Sequence, residues 1–150
     1  MVNLGGAPGS GDVSPLAAAL ERIGDRWSPR IVEALFAGPL RYGELQAAVA
    51  GIASNILADR LRRLEADGLL TVTAYAERPP RLEYRLTAEG RALGGALRML
   101  ADWGARHGAD AGGQETLRHD VCGAALEARW FCPTCDQVVD ADVTHEVRRL

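Results

Sequence analysis

The sequence contains no lysine, so all 17 of its basic side chains are arginines. Its 20 acidic residues give a formal net charge of −3, unlike the strongly basic proteins that coat nucleic acids non-specifically. The charge is uneven, however. Residues 41–98 hold nine arginines against seven acids, a balance of +2, whereas residues 99–150 hold five against nine, a balance of −4. The middle of the chain is therefore the part best suited to an anionic partner.

Long apolar runs are also missing, and none approaches the roughly 20 residues that a membrane span needs. Residues 1–10 are rich in glycine and lack the basic start and apolar stretch of a signal peptide. We therefore expect a flexible tail over residues 1–12, a cytoplasmic location and no membrane partner. Phosphate-binding loops and nucleophile elbows are absent too, so the sequence favours a protein that is not an enzyme.

A helix is predicted to begin at Ser28-Pro29, with the serine as N-cap and the proline at the first helical position. Gly38-Pro39 ends it. A second, short helix begins at Arg41 and ends near Gly51. The first of these helices carries an apolar stripe made of Ile31, Val32, Leu35 and Phe36.

The longer helix that follows has two different faces. Leu57, Leu61 and Leu64 recur at helical spacing and should face a core, and Gly68 should end the helix. Short helix, glycine-containing turn and longer helix form a helix-turn-helix, in which the second helix enters the major groove of DNA. The face opposite the leucines carries the polar residues Asn55, Asp59 and Arg62.

A β hairpin is predicted directly after this helix, from the β-prone segments 71–73 and 82–86. The segment between them, 77–81, contains two arginines and two prolines, and we expect the prolines to prevent strand pairing there. A helix followed by a hairpin with a basic tip is the layout of a winged helix-turn-helix. The alternative is a compact helical domain with a solvated arginine face.

These motifs, in this order, resemble the HxlR-type winged-helix transcriptional regulators over roughly residues 14–107. The resemblance implies a homodimeric bacterial DNA-binding protein that uses the first and last helices of the module as its dimer interface, and we expect a repressor. The motifs that carry it include Ile23-Gly24-Asp25-Arg26-Trp27, Gly38-Pro39, Arg41-Tyr42, Leu64-Glu65-Ala66-Asp67-Gly68-Leu69 and Pro79-Pro80-Arg81-Leu82-Glu83-Tyr84.

Two residues depart from the family pattern. Ser14 stands where many members carry a cysteine, which is the sensor in the thiol-sensing members, and a serine cannot form a thiolate. Ala53 stands where the recognition helix usually begins with a serine, so Ser54 is a candidate for the N-cap instead.

The predicted DNA contacts fall into three groups on a pseudo-palindromic double-stranded operator. Side chains on the recognition helix face the bases, residues before and after them hold the phosphate backbone, and arginines of the wing reach the flanking minor groove. The first group is Ser54, Asn55, Ala58, Asp59 and Arg62, the second is Arg41, Tyr42 and Arg63, and the third is Arg78 and Arg81.

A terminal helix is predicted from Thr87, as N-cap, to about His107, with Gly94-Gly95 in its interior. The glycine pair would either let a partner helix approach or merely loosen an exposed turn. A small-molecule effector is a further candidate partner, and Trp27, Phe36, Trp103 and Trp130 would either line its cavity or belong to the core. The predicted dimerisation residues are Leu16, Leu20, Ile23, Leu93, Leu97 and Leu100.

All three cysteines lie beyond residue 121. His119 and Cys122 form one pair with two intervening residues, and Cys132 and Cys135 form another, which is the pattern of a tetrahedral, structural zinc site. His145 is the alternative fourth ligand. A redox-active pair of Cys132 and Cys135, or three ordinary cysteines, are the other interpretations.

The sequence therefore predicts a mainly α chain with a small β hairpin. We expect a winged helix-turn-helix for DNA binding and dimerisation over residues 13–107, a linker over 108–115 and a zinc-ribbon-like unit over 116–150. Two other functions remain open. The cysteine cluster could make the regulator responsive to zinc or thiol oxidation, or the winged helix could serve only to dimerise a protein-interaction module, although such a module has no need of an arginine-rich wing tip.

Overall fold

The computed structural model describes residues 14–77, 80–107 and 118–139. The predicted tail and linker therefore lie outside the described residues. The chain divides into two compact units, residues 1–98 and 99–150. In the part described, no helix is both long and apolar enough to span a bilayer.

The described residues form six α-helices and five strands. The helices are α1 (Pro15–Ile23), α2 (Ser28–Ala34), α3 (Tyr42–Ala48), α4 (Ser54–Ala66), α5 (Ala88–Ala92) and α6 (Gly94–His107), with a 3-10 turn at Leu35–Ala37. The strands are β1 (Leu40–Arg41), β2 (Leu70–Glu77), β3 (Pro80–Leu86), β4 (Trp130–Cys132) and β5 (Gln137–Val139). This order confirms the predicted winged helix-turn-helix.

The wing is an antiparallel sheet in the order β1-β3-β2. Its hairpin runs from the Leu70–Leu86 pair to the Glu77–Pro80 pair, with an irregularity between Ala74 and Ala76. The prediction that the prolines stop pairing was wrong for Pro80, because a proline at the first position of a strand need not donate a ladder hydrogen bond. Strand β1 was not predicted, since two residues are too few to show alternation.

One apolar core lies beneath α2, α3, α4 and the hairpin. The predicted stripe of α4 is confirmed, because Leu57, Leu61 and Leu64 are all buried. In the stripe predicted for residues 31–36, Phe36 is the exception: it lies in the 3-10 turn after α2 and is 41% exposed. The core consists of Ile31, Val32, Leu35, Leu45, Val49, Ile52, Leu57, Leu61, Leu64, Leu69, Leu70 and Leu86.

The prediction that Ser28 is the N-cap of α2 was wrong: Trp27 holds that position, and the carboxylate of Asp25 accepts the hydrogen bonds at this end of the helix. Its Oδ1 accepts hydrogen bonds from the backbone N–H groups of Trp27 (2.8 Å) and Ser28 (3.0 Å). The Ser28 hydroxyl donates to Asp25 Oδ2. Ser28 is therefore the first residue of the helix and is buried, with its hydroxyl satisfied by the capping carboxylate.

The predicted terminal helix is interrupted at Leu93, which separates α5 from α6. Thr87 is the N-cap as predicted, and its hydroxyl accepts from Gly90 N at 3.0 Å. Gly94 consequently lies at the start of α6, where a Cβ would come within 3.1 Å of Phe36 Cε1. The close neighbour of Gly94 is thus a side chain of the same protomer. In the described part of the chain, apart from the neighbouring backbone of α6 itself, no atom lies within 4 Å of a Cβ added at Gly95.

Candidate DNA-binding interface

Helix α4 presents a polar face to solvent because its leucines anchor the opposite face in the core. Asn55 and Arg62 are exposed, while Ala58 and Asp59 are half-buried. The helix ends at Ala66 with Asp67 as its C-cap, and Gly68 follows with φ +71°, which lets Leu69 N donate back to Leu64 O at 2.9 Å. The core and this C-terminal turn together fix which side chains point outward.

The start of α4 is tied to α3 by Tyr42. The Tyr42 hydroxyl donates to the Ser54 carbonyl oxygen at 2.6 Å. Since the phenolic proton is used there, the Ser54 hydroxyl, 2.8 Å away, donates to the Tyr42 oxygen. The prediction that Ser54 is the N-cap was wrong: Ala53 holds that position without a side-chain cap, and Ser54 is the first helical residue. Tyr42 thus positions the first turn of the recognition helix.

Arg62 lies along the surface of α4 and does not extend away from it. Its Nε donates to Ala58 O at 3.2 Å, and its Nη2 lies 4.0 Å from Asp59 Oδ1. The Arg62 side chain is 75% exposed and that of Asp59 is 50% exposed. An ion pair this exposed contributes little to stability, so the Arg62 guanidinium could leave Asp59 and bind DNA at a small cost in free energy.

Arg60, which precedes Arg62 on α4, lies near Asp59 and also reaches a carboxylate outside the helix. Arg60 Nε lies 3.6 Å from Oδ1 of Asp25, the carboxylate that caps α2. Partial burial raises the pKa of Asp25, but hydrogen bonds from the Ser28 hydroxyl and from the Trp27 and Ser28 N–H groups outweigh it. Together with the positive charge of Arg60, these hydrogen bonds hold the pKa of Asp25 below its ordinary value of 3.8. Sequence reasoning missed this link, although an aspartate three residues before Ser28 was the available signal.

The residues predicted to contact the phosphate backbone of DNA lie around α4. Arg41 precedes α3, where its backbone N donates to Glu44 Oε2 at 2.7 Å, and its side chain is exposed. Arg63 is exposed in the last turn of α4, and Arg81 is exposed on β3. Arg78 lies outside the described residues. The assignment of these arginines to phosphates stays a prediction.

Comparison with known proteins identifies the family that carries this arrangement. Residues 22–111 match the HxlR-like helix-turn-helix family. The chain belongs to this family. It is a helix-turn-helix transcriptional regulator, a DNA-binding protein and not an enzyme.

Individual relatives of this HxlR-like chain agree with that assignment. An HTH-type transcriptional regulator of Mycobacterium tuberculosis is 38% identical over 130 residues, which are 85% of this chain and 82% of the relative. The solved structure of PA1607, described as a candidate transcription factor, is 33% identical, with a TM-score of 0.77 over 93% of this chain and 97% of that one. The reduced form of the redox regulator HypR is 32% identical, with a TM-score of 0.60 over 63% and 93%.

In this HxlR-like chain, Ser14 has a defined structural role. Its hydroxyl accepts from Ala17 N at 3.1 Å and so caps α1. The position at which thiol-sensing relatives were expected to carry a cysteine is therefore a helix cap here.

The predicted dimerisation residues differ in exposure. Leu16 and Leu20 are 69% and 54% exposed on α1, and Leu100 is 58% exposed on α6. The other three, Ile23, Leu93 and Leu97, are half-buried against the core of their own protomer.

Two of the aromatic residues considered for an effector already have partners. The guanidinium of Arg26 lies 4.4 Å above the Trp27 ring and that of Arg30 lies 5.4 Å from it. Trp103 stacks on His107 at 4.7 Å. Trp103 and Trp130 are each more than half exposed. An effector cavity built from these side chains stays a prediction.

The predicted metal ligands occur as two pairs. His119 Nδ1 lies 3.3 Å from Cys122 Sγ. Hydrogen bonds from the Cys135 and Thr134 N–H groups lower the pKa of the Cys132 thiol, and the hydrogen bond to Cys132 raises that of Cys135. Among the described residues, no three His, Cys, Asp or Glu side chains lie close enough together to hold a metal ion. His145 lies outside those residues.

Proposed function

We propose that this regulator is a cytoplasmic repressor that binds a pseudo-palindromic operator as a homodimer. The observation that carries the proposal is the division of α4 into a fully buried leucine face and an exposed polar face. A helix anchored in this way can enter the major groove without exposing the core. A dimer bound to an operator that overlaps a promoter would block access of RNA polymerase and so repress transcription.

The polar face offers groups suited to base edges. The Asn55 amide can bond the N6 and N7 atoms of adenine, Asp59 can accept from the N4 amine of cytosine, and the Arg62 guanidinium can bond O6 and N7 of guanine. Arg62 must first leave Asp59, which is an inexpensive step for an exposed pair. Ser54 and Ala58, on the same side of the helix, would contribute smaller contacts.

Positioning on the duplex would come from the arginines around α4. Arg41, Arg63 and Arg81 are exposed and can reach phosphates, with Arg78 as a further candidate at the wing tip. A two-fold dimer would put two recognition helices in successive major grooves, so half-sites about one helical turn apart are expected. Dimerisation through α1 and α6 is supported by the exposed leucines at positions 16, 20 and 100.

The experiment compares Arg62→Ala with the wild type on a selected operator and on random duplex DNA by fluorescence anisotropy. We expect operator affinity to fall by about 1–3 kcal/mol, roughly 5- to 150-fold, with little change on random DNA. Arg129→Ala is the matched control, because it removes the same charge from the other compact unit. An equal loss on both DNAs would make Arg62 a phosphate contact, and no loss on either would favour an interaction module.

A further inference from the structure

Two chelating turns of the same design lie in the described C-terminal segment, residues 118–139. The first contains His119 and Cys122. It is closed by hydrogen bonds from Gly123 N to His119 O (2.7 Å) and from His119 N to Ala124 O (2.8 Å). Gly123 has φ +70°. The residue directly after the second donor therefore adopts the left-handed conformation, which reverses the chain and turns both donors to the same side.

The second turn joins β4 to β5 and contains Cys132 and Cys135. The strands pair through Cys132 and Gln137, so Cys132 lies at the end of β4. Asp136 follows the second donor with φ +53°, an uncommon conformation for a residue other than glycine. The second turn therefore repeats the arrangement of the first, with a residue of positive φ directly after its second donor.

The spacing of the first pair fits a tetrahedral metal ion. Bonds of about 2.3 Å to sulfur and 2.0 Å to nitrogen place the two donors about 3.5 Å apart at the tetrahedral angle. His119 Nδ1 and Cys122 Sγ are joined by a hydrogen bond of 3.3 Å, so the two donor atoms already have nearly the separation that chelation requires. The three cysteine thiolates and the histidine imidazole form a Cys3His ligand set, which suits zinc.

Apolar packing does not hold the two turns in place. None of residues 118–139 is buried, and only Cys132 and Val139 are half-buried. Val121, Phe131 and Val138 are 86%, 57% and 54% exposed. A segment of this size without a core needs another source of stability, and a metal ion is the usual one.

We infer that His119, Cys122, Cys132 and Cys135 bind one Zn2+, which draws the two turns together into a single structural site. The described residues hold no group of three ligands, so binding must close the gap between the pairs. Within residues 118–139, no side chain is buried in a way that would oppose this movement. The zinc ion therefore orders this segment as well as binding to it.

The test uses the full-length protein, stripped of metal and then titrated with Co2+ as a spectroscopic probe. We expect one metal ion per chain, the ligand-field bands of a tetrahedral thiolate site, displacement by Zn2+, and metal-dependent ordering of the segment in NMR spectra. Cys122→Ser and His119→Ala should each lose the tetrahedral spectrum. Asp136→Asn is the control, because it removes a neighbouring carboxylate but keeps a residue that tolerates positive φ.

Four results would overturn the inference. Binding of much less than one metal ion per chain would show that the proposed site does not exist. Metal binding that survives Cys122→Ser would place the metal site in the second turn alone. An unchanged spectrum in His119→Ala would exclude His119 as a ligand. A chain that binds no metal but forms a Cys132–Cys135 disulfide with peroxide would show a redox pair in its place. Operator affinity, measured separately, distinguishes each of these results from failure of the proposed DNA-binding function.

Discussion

The carboxylate of Asp25 connects the start of α2 with the recognition helix. It caps α2 through two backbone N–H groups and the Ser28 hydroxyl, and it lies 3.6 Å from Arg60 of α4. A single side chain therefore satisfies one helix terminus and also restrains the helix proposed to read DNA. Its substitution should affect stability more than that of an ordinary surface aspartate.

We expect Asp25→Ala to lower the free energy of unfolding by about 0.5–2 kcal/mol, the usual cost of losing an N-cap. Asp25→Asn should cost less, because its amide oxygen can still accept from the backbone, although the ion pair with Arg60 is lost. Urea denaturation followed by circular dichroism measures both. Equal losses in the two variants would mean that the charge and not the cap matters.

The same residue should make stability depend on pH. Because the folded-state pKa of Asp25 lies below its ordinary 3.8, the ionised carboxylate stabilises the fold above that pH. This contribution is lost as the pH falls through the folded-state pKa. The difference between wild type and Asp25→Ala should thus be constant from pH 7 to about pH 5 and shrink below pH 3.8. A difference that grows towards low pH would contradict the lowered pKa.

The start of α6 contains two glycines in different surroundings. A Cβ at Gly94 would lie 3.1 Å from Phe36 Cε1, whereas a Cβ at Gly95 would meet no atom within 4 Å. We expect Gly95→Ala to raise the free energy of unfolding by about 0.4–1 kcal/mol through the unfolded state, and Gly94→Ala to gain less because Phe36 must move. Thermal unfolding of both variants checks this order. Dissociation of the dimer by Gly95→Ala would instead show that a partner helix approaches there.

Elements with a repeating pattern were predictable from the sequence, and those fixed by contacts were not. Three leucines at helical spacing identified the buried face of α4, and its polar face followed from geometry. Strand β1 has two residues and is defined only by its pairing with β3. The break at Leu93 is followed directly by Gly94-Gly95, and this glycine pair was the only local signal for it.

The candidate site shows the same division. Which residues of α4 face outward followed from periodicity, whereas their hydrogen bonds depend on tertiary contacts. The bond from Tyr42 to Ser54 joins residues 12 positions apart, and the ion pair of Arg60 with Asp25 spans a larger separation. Neither can be read from a local pattern. The spacing of the histidine and cysteines predicted two pairs of metal ligands, but spacing alone cannot say whether the pairs meet.

For the whole molecule, the proposed operator recognition requires the proposed dimer. Leu20→Glu places a charge on the exposed apolar face of α1, and we expect it to convert the dimer to monomers in sedimentation equilibrium. Ala18→Glu is the control, because residue 18 is exposed on the opposite face of the same helix. Equal effects of both substitutions would argue against an interface on the face of Leu16 and Leu20.

The most direct test of the proposed function is selection of binding sites from a random duplex pool with the wild-type protein, followed by anisotropy titration of the enriched sequence against random DNA. We predict a two-fold symmetric motif with half-sites about one helical turn apart and binding that resists random competitor. A pool without an enriched motif, or affinity no better than that for random DNA, would contradict sequence-specific recognition by α4.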